Sequence, residues 1–471
     1  MSSKINLENL NIKIANKSIL SGEFTARELT EAYLEKIKTD NPKLNAYLEV
    51  FTDALDQADE VDRRIKSGEL TGPLAGIPMA IKDNILIEGR ICSAASKMLA
   101  DYHATYDATT IKKLKKEGVI FLGRTNMDEF AMGGSTENSA YGPTCNPHDP
   151  TRVSGGSSGG SAAVVGGDLA LCALGSDTGG SIRQPSSFCG AVGLKPTYGA
   201  VSRYGVMAMA SSLDQIGPLA KTIDDAELLF NTIKGKDSFD STSMDEPVPC
   251  ALPAKFKIGI PDDFLGEGVN EDVKKNFDET VELLKSKGHE IISIEMPNLH
   301  YSLSCYYILM FAESSTNMSR FDGVRYGLHV DGKDMVEDYF LSRGAGLGKE
   351  VKRRIMLGTY VLSSGYYDAY YGKANGLRRL ITEDYKKAFS KVDAIITPTA
   401  PSVAFPIGKN TNDPLQMYLE DIFTVPVNLA GVPAISVPTG KNEQGLPFGL
   451  QITGPHWRED LIFAVGREVV R

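Results

Sequence analysis

Apolar positions in the first 65 or so residues recur at helical spacing. Leu29, Ala32, Tyr33, Leu34 and Ile37 follow Thr25-Ala26-Arg27-Glu28, a capping box, and Asn41-Pro42 is expected to end the run. From Gly72 onward the pattern alternates. Ala108–Glu117 has a helical period with Gly118 as its stop, and Val119–Leu122 is the short apolar run of a buried strand. Phe256–Ile260, Glu271–Lys287 and Glu290–Ile294 repeat a strand, helix, strand order, with Gly288 ending the helix. This alternation predicts an α/β protein with a substantially parallel sheet. The polar stretch Lys234–Pro253 reads as a long surface loop rather than a domain linker, and the pattern is still helical at Arg471.

Composition narrows the function classes. A chain of 471 residues, 42% apolar and 23% charged, is long enough for one large or two ordinary domains. With a net charge of −10 it lacks the basic face that gripping nucleic acid requires. Its densest basic runs, Lys112–Lys116 and Lys352–Arg354, are short and read as solvated helix faces, so any RNA contact is expected through a partner. The six cysteines show no CxxC spacing, and no histidine pair has metal-ligand spacing. The amino terminus has no apolar run fit for a signal peptide, and no window approaches a membrane span. Reduced thiols and a cytoplasmic location are the expectation.

Three segments carry chemistry. Gly155-Gly156-Ser157-Ser158-Gly159-Gly160-Ser161 alone resembles a flexible linker, yet it runs directly into Ala162–Gly167, an apolar, small-residue stretch fit for a buried helix. Its glycines are therefore read as allowing close packing. Gly175–Pro185 holds Thr178-Gly179-Gly180-Ser181, which is either a tight turn or a ring of N–H donors around a serine. The second arrangement unites nucleophile and oxyanion hole, as acyl transfer requires. In Gly76–Asn84 a lone lysine, Lys82, ends an apolar run. A lysine that does not snorkel to water from such a place must be paired or have its pKa depressed, which makes it a base. The nearby histidine, His148, lies in a turn-like segment, so lysine is the better activator.

Together these segments resemble the amidase-signature family. Lys82, Ser157 and Ser181 match its Ser–cis-Ser–Lys triad, at intervals of 75 and 24 positions. The resemblance implies the family's α/β fold, a large, mixed, mostly parallel central sheet covered by helices on both faces. It also implies one domain over 1–471, with a helical layer at 1–65, a catalytic core at 66–230 and pocket elements at 231–471. Neutral Lys82 would deprotonate Ser157, and Ser157 would deprotonate Ser181 as it attacks an amide. N–H groups of Thr178, Gly179, Gly180 and Ser181 would hold the oxyanion, and Asp177 and Arg183 would brace the loop.

Asn126–Glu137, Lys195–Gly199, Ser211–Pro218, Ser319–Gly327, Gly348–Arg354 and Pro426–Gly431 further resemble the glutamine-hydrolysing subunits of tRNA-dependent amidotransferases. Glutamine is a zwitterion, so its pocket needs a cation and an anion. By resemblance these are Arg354 and Asp421, with Tyr306 lining the pocket; Tyr307 and Arg353 are the neighbours most easily mistaken for them. Read without the resemblance, Arg354 ends a basic run and Asp421 belongs to an acidic helix face. The resemblance also implies two partners. One is a kinase/transamidase subunit that uses ATP and Mg²⁺ and contacts the charged tRNA, and the other is a small third subunit. No cofactor or metal is expected on this chain, which has no GxxxxGK[ST] loop. The acceptor, Glu-tRNA(Gln) or Asp-tRNA(Asn), is left to the partner. A stand-alone amidase for small amides and a non-catalytic scaffold are the competing readings.

Overall fold

The computed structural model describes residues 5–470 apart from 246, 248–250, 262, 263, 267 and 412. Eleven strands form one sheet: β1 (Tyr47–Val50), β2 (Pro78–Lys82), β3 (Ile120–Thr125), β4 (Cys172–Asp177), β5 (Val192–Lys195), β6 (Gln215–Ala220), β7 (Lys257–Ile260), β8 (Glu290–Ser293), β9 (Ala394–Pro398), β10 (Ala434–Lys441) and β11 (Pro447–Thr453). Their spatial order is β1-β3-β2-β4-β6-β5-β10-β11-β9-β7-β8.

The sheet is mixed, but the expectation that it is mostly parallel does not hold. Four pairs are parallel (β2 with β3 and β4, β7 with β8 and β9) and six are antiparallel. The parallel pairs are those in which a helical crossover returns the chain to the same end of the sheet, the pattern seen in the sequence. The centre is different. There β10 and β11 are joined by a tight turn in which Asn442 accepts the N–H groups of Gln444 and Leu446, and β5, β6 and β9 pair antiparallel around them.

Helices cover both faces. Gly193 of β5 lies opposite Ser436 of β10, so the two share a face. A Cβ on Gly193 would meet Ser186 of the short helix Arg183–Cys189 at 2.2 Å. The next residue, Val437, points the other way, and its side chain comes within 3.6 Å of a Cβ placed on Gly466 of the helix Glu459–Val469.

Other elements follow the sequence, except that the first 65 residues, read as helices, also hold the edge strand β1, which pairs antiparallel with β3. The capping box at Thr25 forms, but the helix runs from Ala26 to Leu44 with Pro42 inside it. Proline in the last turn removes one hydrogen bond without blocking it, and Asn45, at φ 50°, closes it. Asn41 redirects the chain instead, its side-chain oxygen accepting the N–H groups of Ala46 and Tyr47 at 2.9 and 2.8 Å. The Gly155–Ser161 run starts the buried helix Gly159–Gly166. A Cβ on Gly160 would meet the Asn126 carbonyl oxygen at 2.4 Å, and one on Gly166 the Cys189 carbonyl oxygen at 2.1 Å. These glycines permit close approach, as expected. The described part of the polar stretch, 234–245, folds back on the loop 199–204: Gly235 donates to Ala200 O and Met244 to Gly199 O. Residues 246 and 248–250 of that stretch, with Cys250, and Arg471 lie outside the described residues. Cys92, Cys145, Cys172, Cys189 and Cys305 are free thiols. Among the described residues no helix is long and apolar enough to cross a membrane.

Two helices at the rim matter for the site, Ser302–Asn317 and Lys349–Leu362. They cross so closely that a Cβ on Gly358 would fall 1.9 Å from the Phe311 carbonyl oxygen. Gly358→Ala gains about 1 kcal/mol of helix propensity. The clash is with backbone and cannot be relieved by a rotamer, so the helices must separate. A net loss of about 1–3 kcal/mol is expected, read as a lower urea midpoint at unchanged slope.

Candidate active site

β2 and β4 run parallel and end at the same edge of the sheet, which places Lys82 beside Ser176 and Asp177. The Lys82 side chain is fully buried. Its Nζ lies 2.8 Å from Ser157 Oγ, 2.7 Å from Ser158 Oγ and 2.9 Å from Ser176 Oγ, with the Ser176 carbonyl oxygen at 3.3 Å. Among the described residues no carboxylate is ion-paired to it. Burial pulls its pKa down to about 7 against the more distant attraction of Asp128, Asp177 and Asp214.

The surrounding hydrogen bonds fix what a neutral lysine does here. Ser158 Oγ donates to the Ser176 carbonyl at 3.0 Å, so it accepts from Lys82. Ser176 Oγ accepts from Asn84 Nδ2 at 3.0 Å and from Lys82. A neutral amine has two N–H groups and one lone pair. With the N–H groups directed at Ser158 and Ser176, the lone pair remains for the Ser157 hydroxyl. Ser158, Ser176 and Asn84 were not singled out in the sequence, although each lies within two positions of a residue that was. The Gly156–Ser157 peptide bond is cis, and the Ser157 carbonyl accepts the Asp128 N–H at 3.2 Å.

Ser181 heads the loop after β4, 7% exposed where Lys82 and Ser157 are sealed. The braces expected of Asp177 and Arg183 are present. The Asp177 carboxylate accepts Arg183 Nε and Nη2, both at 3.0 Å, Asn428 Nδ2 at 2.9 Å, and the N–H groups of Gly180 at 2.8 Å and Ile182 at 3.1 Å. Burial raises its pKa, and the Arg183 guanidinium overrides burial and holds it well below the usual carboxylate range. Arg183 also donates to Thr424 O, Gln451 Oε1 and Asn428 Oδ1.

This wiring corrects one expectation: the Gly180 N–H is spent on Asp177, so it does not face an oxyanion. The N–H groups of Gly179 and Ser181 have no hydrogen-bond partner among the described residues. Thr178 is fixed by its hydroxyl, which donates to Asp214 at 2.7 Å. Ser181 O accepts the Ser158 N–H at 3.1 Å, which ties the two serine loops together. Among the described residues no hydrogen bond joins the Ser157 and Ser181 hydroxyls. Gly180, at φ 132°, has room for no Cβ beside Thr424.

Tyr306 abuts the loop: a Cβ on Gly179 would fall 2.5 Å from its hydroxyl oxygen. Arg354 is 4% exposed, with Nε on Glu350 Oε1 at 2.8 Å and Nη1 facing the Met310 sulfur at 3.4 Å. Burial opposes its charge, but Glu350 and three tyrosines hold the guanidinium protonated. Asp421 accepts the Tyr307 hydroxyl at 3.2 Å. Burial pushes its pKa up to about 7, opposed by that hydrogen bond and by Arg354. Among the described residues Arg354 and Asp421 are not paired with each other. Tyr307 stacks on Tyr418 at 3.9 Å between ring centres, and Arg353 turns outward, paired with Glu350. Glu350, Tyr418 and Asp214, which hold these groups, went unseen because nothing local distinguishes them. A cavity of about 50 Å³ adjoins Arg354, lined also by Ser135, Glu350, Arg353, Met417 and Tyr418. His148 takes no part: its Nε2 lies 3.0 Å from Cys189 O.

A buried lysine on serine hydroxyls, their loop tied to that of a second serine whose N–H has no partner among the described residues, is an arrangement able to hydrolyse an amide. The Amidase family model matches residues 28–463, and the chain belongs to that family of enzymes. It is 50% identical over 468 residues to the A subunit of glutamyl-tRNA(Gln) amidotransferase from Desulfatibacillum aliphaticivorans, covering 98% of this chain and 96% of that one. Identity to the protein of the same name from Thermoanaerobacter pseudethanolicus is 53%, at 98% and 95% coverage. The crystal structure of the corresponding glutamyl-tRNA(Gln) amidotransferase subunit from Thermotoga maritima superposes with a TM-score of 0.81 at 40% identity, covering 100% of this chain and 96% of that one. Native peptide amidase from Stenotrophomonas maltophilia gives 0.81 at 28% identity, with 98% and 97% coverage.

Replacing Arg183 with methionine leaves the Asp177 carboxylate buried and uncompensated. Arg183→Met is expected to cost about 3–5 kcal/mol of stability, measured by urea denaturation.

Proposed function

We propose that this chain is the glutamine-hydrolysing subunit of a tRNA-dependent amidotransferase. The observation that carries the reading is the fully buried Lys82, paired to no carboxylate among the described residues and bonded to the Ser157 hydroxyl at 2.8 Å. Neutral Lys82 accepts the proton of Ser157, and Ser157 accepts that of Ser181 as Ser181 Oγ attacks the side-chain amide carbon. The N–H groups of Gly179 and Ser181 stabilise the oxyanion, each worth roughly a hundredfold or more in rate. Lys82 then returns its proton to Ser157 as Ser157 passes one to the leaving nitrogen, ammonia departs, and water hydrolyses the glutamyl ester by the same relay to release glutamate. Arg354 receives the α-carboxylate and Asp421 the α-ammonium, with Tyr306 closing the pocket over Gly179.

The relatives are named as A subunits of an amidotransferase, which supports a further subunit as the destination of the ammonia. It passes to a kinase/transamidase partner, which activates Glu-tRNA(Gln) with ATP and Mg²⁺, and a small third subunit completes the assembly. This chain binds no cofactor of its own and reaches tRNA mainly through the partner, in keeping with its net charge of −10. The complex works in the cytoplasm.

Two measurements test the reading. Ser181→Ala is expected to reduce ammonia release from glutamine by at least about a thousandfold with an unchanged circular dichroism spectrum; turnover near that of the parent would move the nucleophile elsewhere. The second reads the base. The neutral fraction of Lys82 grows as pH rises through its pKa of about 7, so kcat/KM should climb through that pH and level off above it. A small neutral amide is the right substrate, because its binding does not depend on the ionisation of Asp421. A flat profile across this range would remove Lys82 as the base.

A further inference from the structure

Asp128 and Glu129 are adjacent, buried and turned in opposite directions. Asp128 serves the serine centre: its N–H donates to Ser157 O, and its carboxylate accepts the N–H groups of Thr136 at 2.9 Å and Asn138 at 3.1 Å. Glu129 reaches outward instead. Its Oε1 accepts the Ser96 hydroxyl, and its Oε2 accepts the Gly348 N–H at 2.8 Å, across 219 positions of sequence. Among the described residues it has no ion-pair partner.

Gly348 is the N-cap of the helix Lys349–Leu362, which has no side-chain cap hydrogen bond of its own. Such a position ordinarily carries serine, threonine, aspartate or asparagine, whose oxygen satisfies a free N–H of the first turn. Glu129 Oε2 takes the N–H of the N-cap residue itself, as the glutamate of a capping box does from within a helix, and a Cβ on Gly348 would fall 2.2 Å from it. It also lies at the positive end of the helix dipole, which favours its charge. Burial pushes the Glu129 pKa up to about 7 against these hydrogen bonds.

The backbone around Glu129 is tightly determined. Phe130 and Ala131 have φ of 49° and 62°, Ala94 and Ala95 of 49° and 50°, and the Phe130 N–H donates to Ala94 O at 2.9 Å. Left-handed conformations at four non-glycine residues persist only where the surroundings enforce them. The same helix carries Glu350 and Arg354 within its first two turns. One rigid dipeptide thus holds the Ser157 loop on one side and the helix bearing Arg354 on the other.

We propose that Glu129 is a positioning residue for amide substrates that carry a carboxylate. By capping this helix from the catalytic layer, it sets the separation between Arg354 and the serine centre. The inference rests on Arg354 receiving the substrate carboxylate, as argued above.

The test measures ammonia release by the full chain with its partner subunits, from glutamine and from propionamide. Glu129→Ala is expected to raise KM for glutamine about tenfold, the effect of losing a helix cap, with kcat/KM for propionamide within about twofold. Adding Gly348→Asp to Glu129→Ala caps the helix locally, on the N–H groups of its own first turn, without the tie to the catalytic layer, so KM for glutamine should stay raised; recovery to within about threefold of the parent would make Glu129 a helix cap only and overturn the positioning role. If Glu129→Ala does not fold, the isosteric Glu129→Gln carries the same substrate split at about threefold. Arg354→Ala separates the two levels of the argument. If it raises KM for glutamine while the Glu129 variants do not, the positioning role is wrong and the pocket stands. Equal losses on both substrates would likewise make Glu129 merely structural. An Arg354→Ala enzyme with unchanged KM for glutamine would overturn the pocket assignment and the role of Glu129 with it.

Discussion

An ammonium group taken out of water must either find a carboxylate or give up its proton. Lys82 is surrounded by neutral oxygens, and among the described residues no carboxylate is paired with it. Three aspartates lie near enough to be felt, and each is occupied by something else. Asp128 holds backbone N–H groups of the loop 136–138, Asp177 holds Arg183 and Asn428, and Asp214 holds Thr178 and the N–H groups of Met209 and Ala210. The carboxylates therefore shape the loops around the serines and leave burial to lower the lysine's pKa to about 7, so that a substantial neutral fraction exists near physiological pH. One set of interactions gives both a rigid site and a usable base.

The same logic separates the charges of Arg354 and Asp421. Arg354 keeps its proton because Glu350 is beside it, and Asp421 is held by a tyrosine hydroxyl rather than by the arginine. Had the two paired with each other, the pocket would already be neutralised before a zwitterion arrived. Buried groups of opposite sign with separate supports are a way of presenting charge to a ligand.

Much of this was legible in the sequence, for physical reasons. Lys82, Ser157 and Ser181 stand where local composition is improbable for their chemistry: a lysine closing an apolar strand, and serines among glycines that lead into buried helices. The alternation of helix and strand announced an α/β sheet, and the crossovers it predicted are the parallel pairs. The antiparallel centre was not legible, because β5 with β10 and β9 with β11 pair across long stretches of sequence, and β5 and β9 are buried at every position rather than alternating. Asp214, Asn428, Gln451 and Glu350 were missed for a related reason. Each acts through hydrogen bonds to partners that only the fold brings near, and no local pattern marks such a residue. The Gly180 N–H shows the opposite limit: its residue type was right for a donor, but only the structure reveals that Asp177 has claimed it.

Arg183 binds Thr424, Asn428 and Gln451, partners that follow it by 241, 245 and 268 residues. A chain made from its amino terminus at roughly 5–20 residues per second exposes the serine loops long before those partners exist. The nucleophile loop therefore acquires its shape only when the last hairpin of the sheet closes over it. Competence for hydrolysis is thus a property of the finished chain, and a nascent or carboxy-terminally clipped molecule holds the reactive residues without the means to use them.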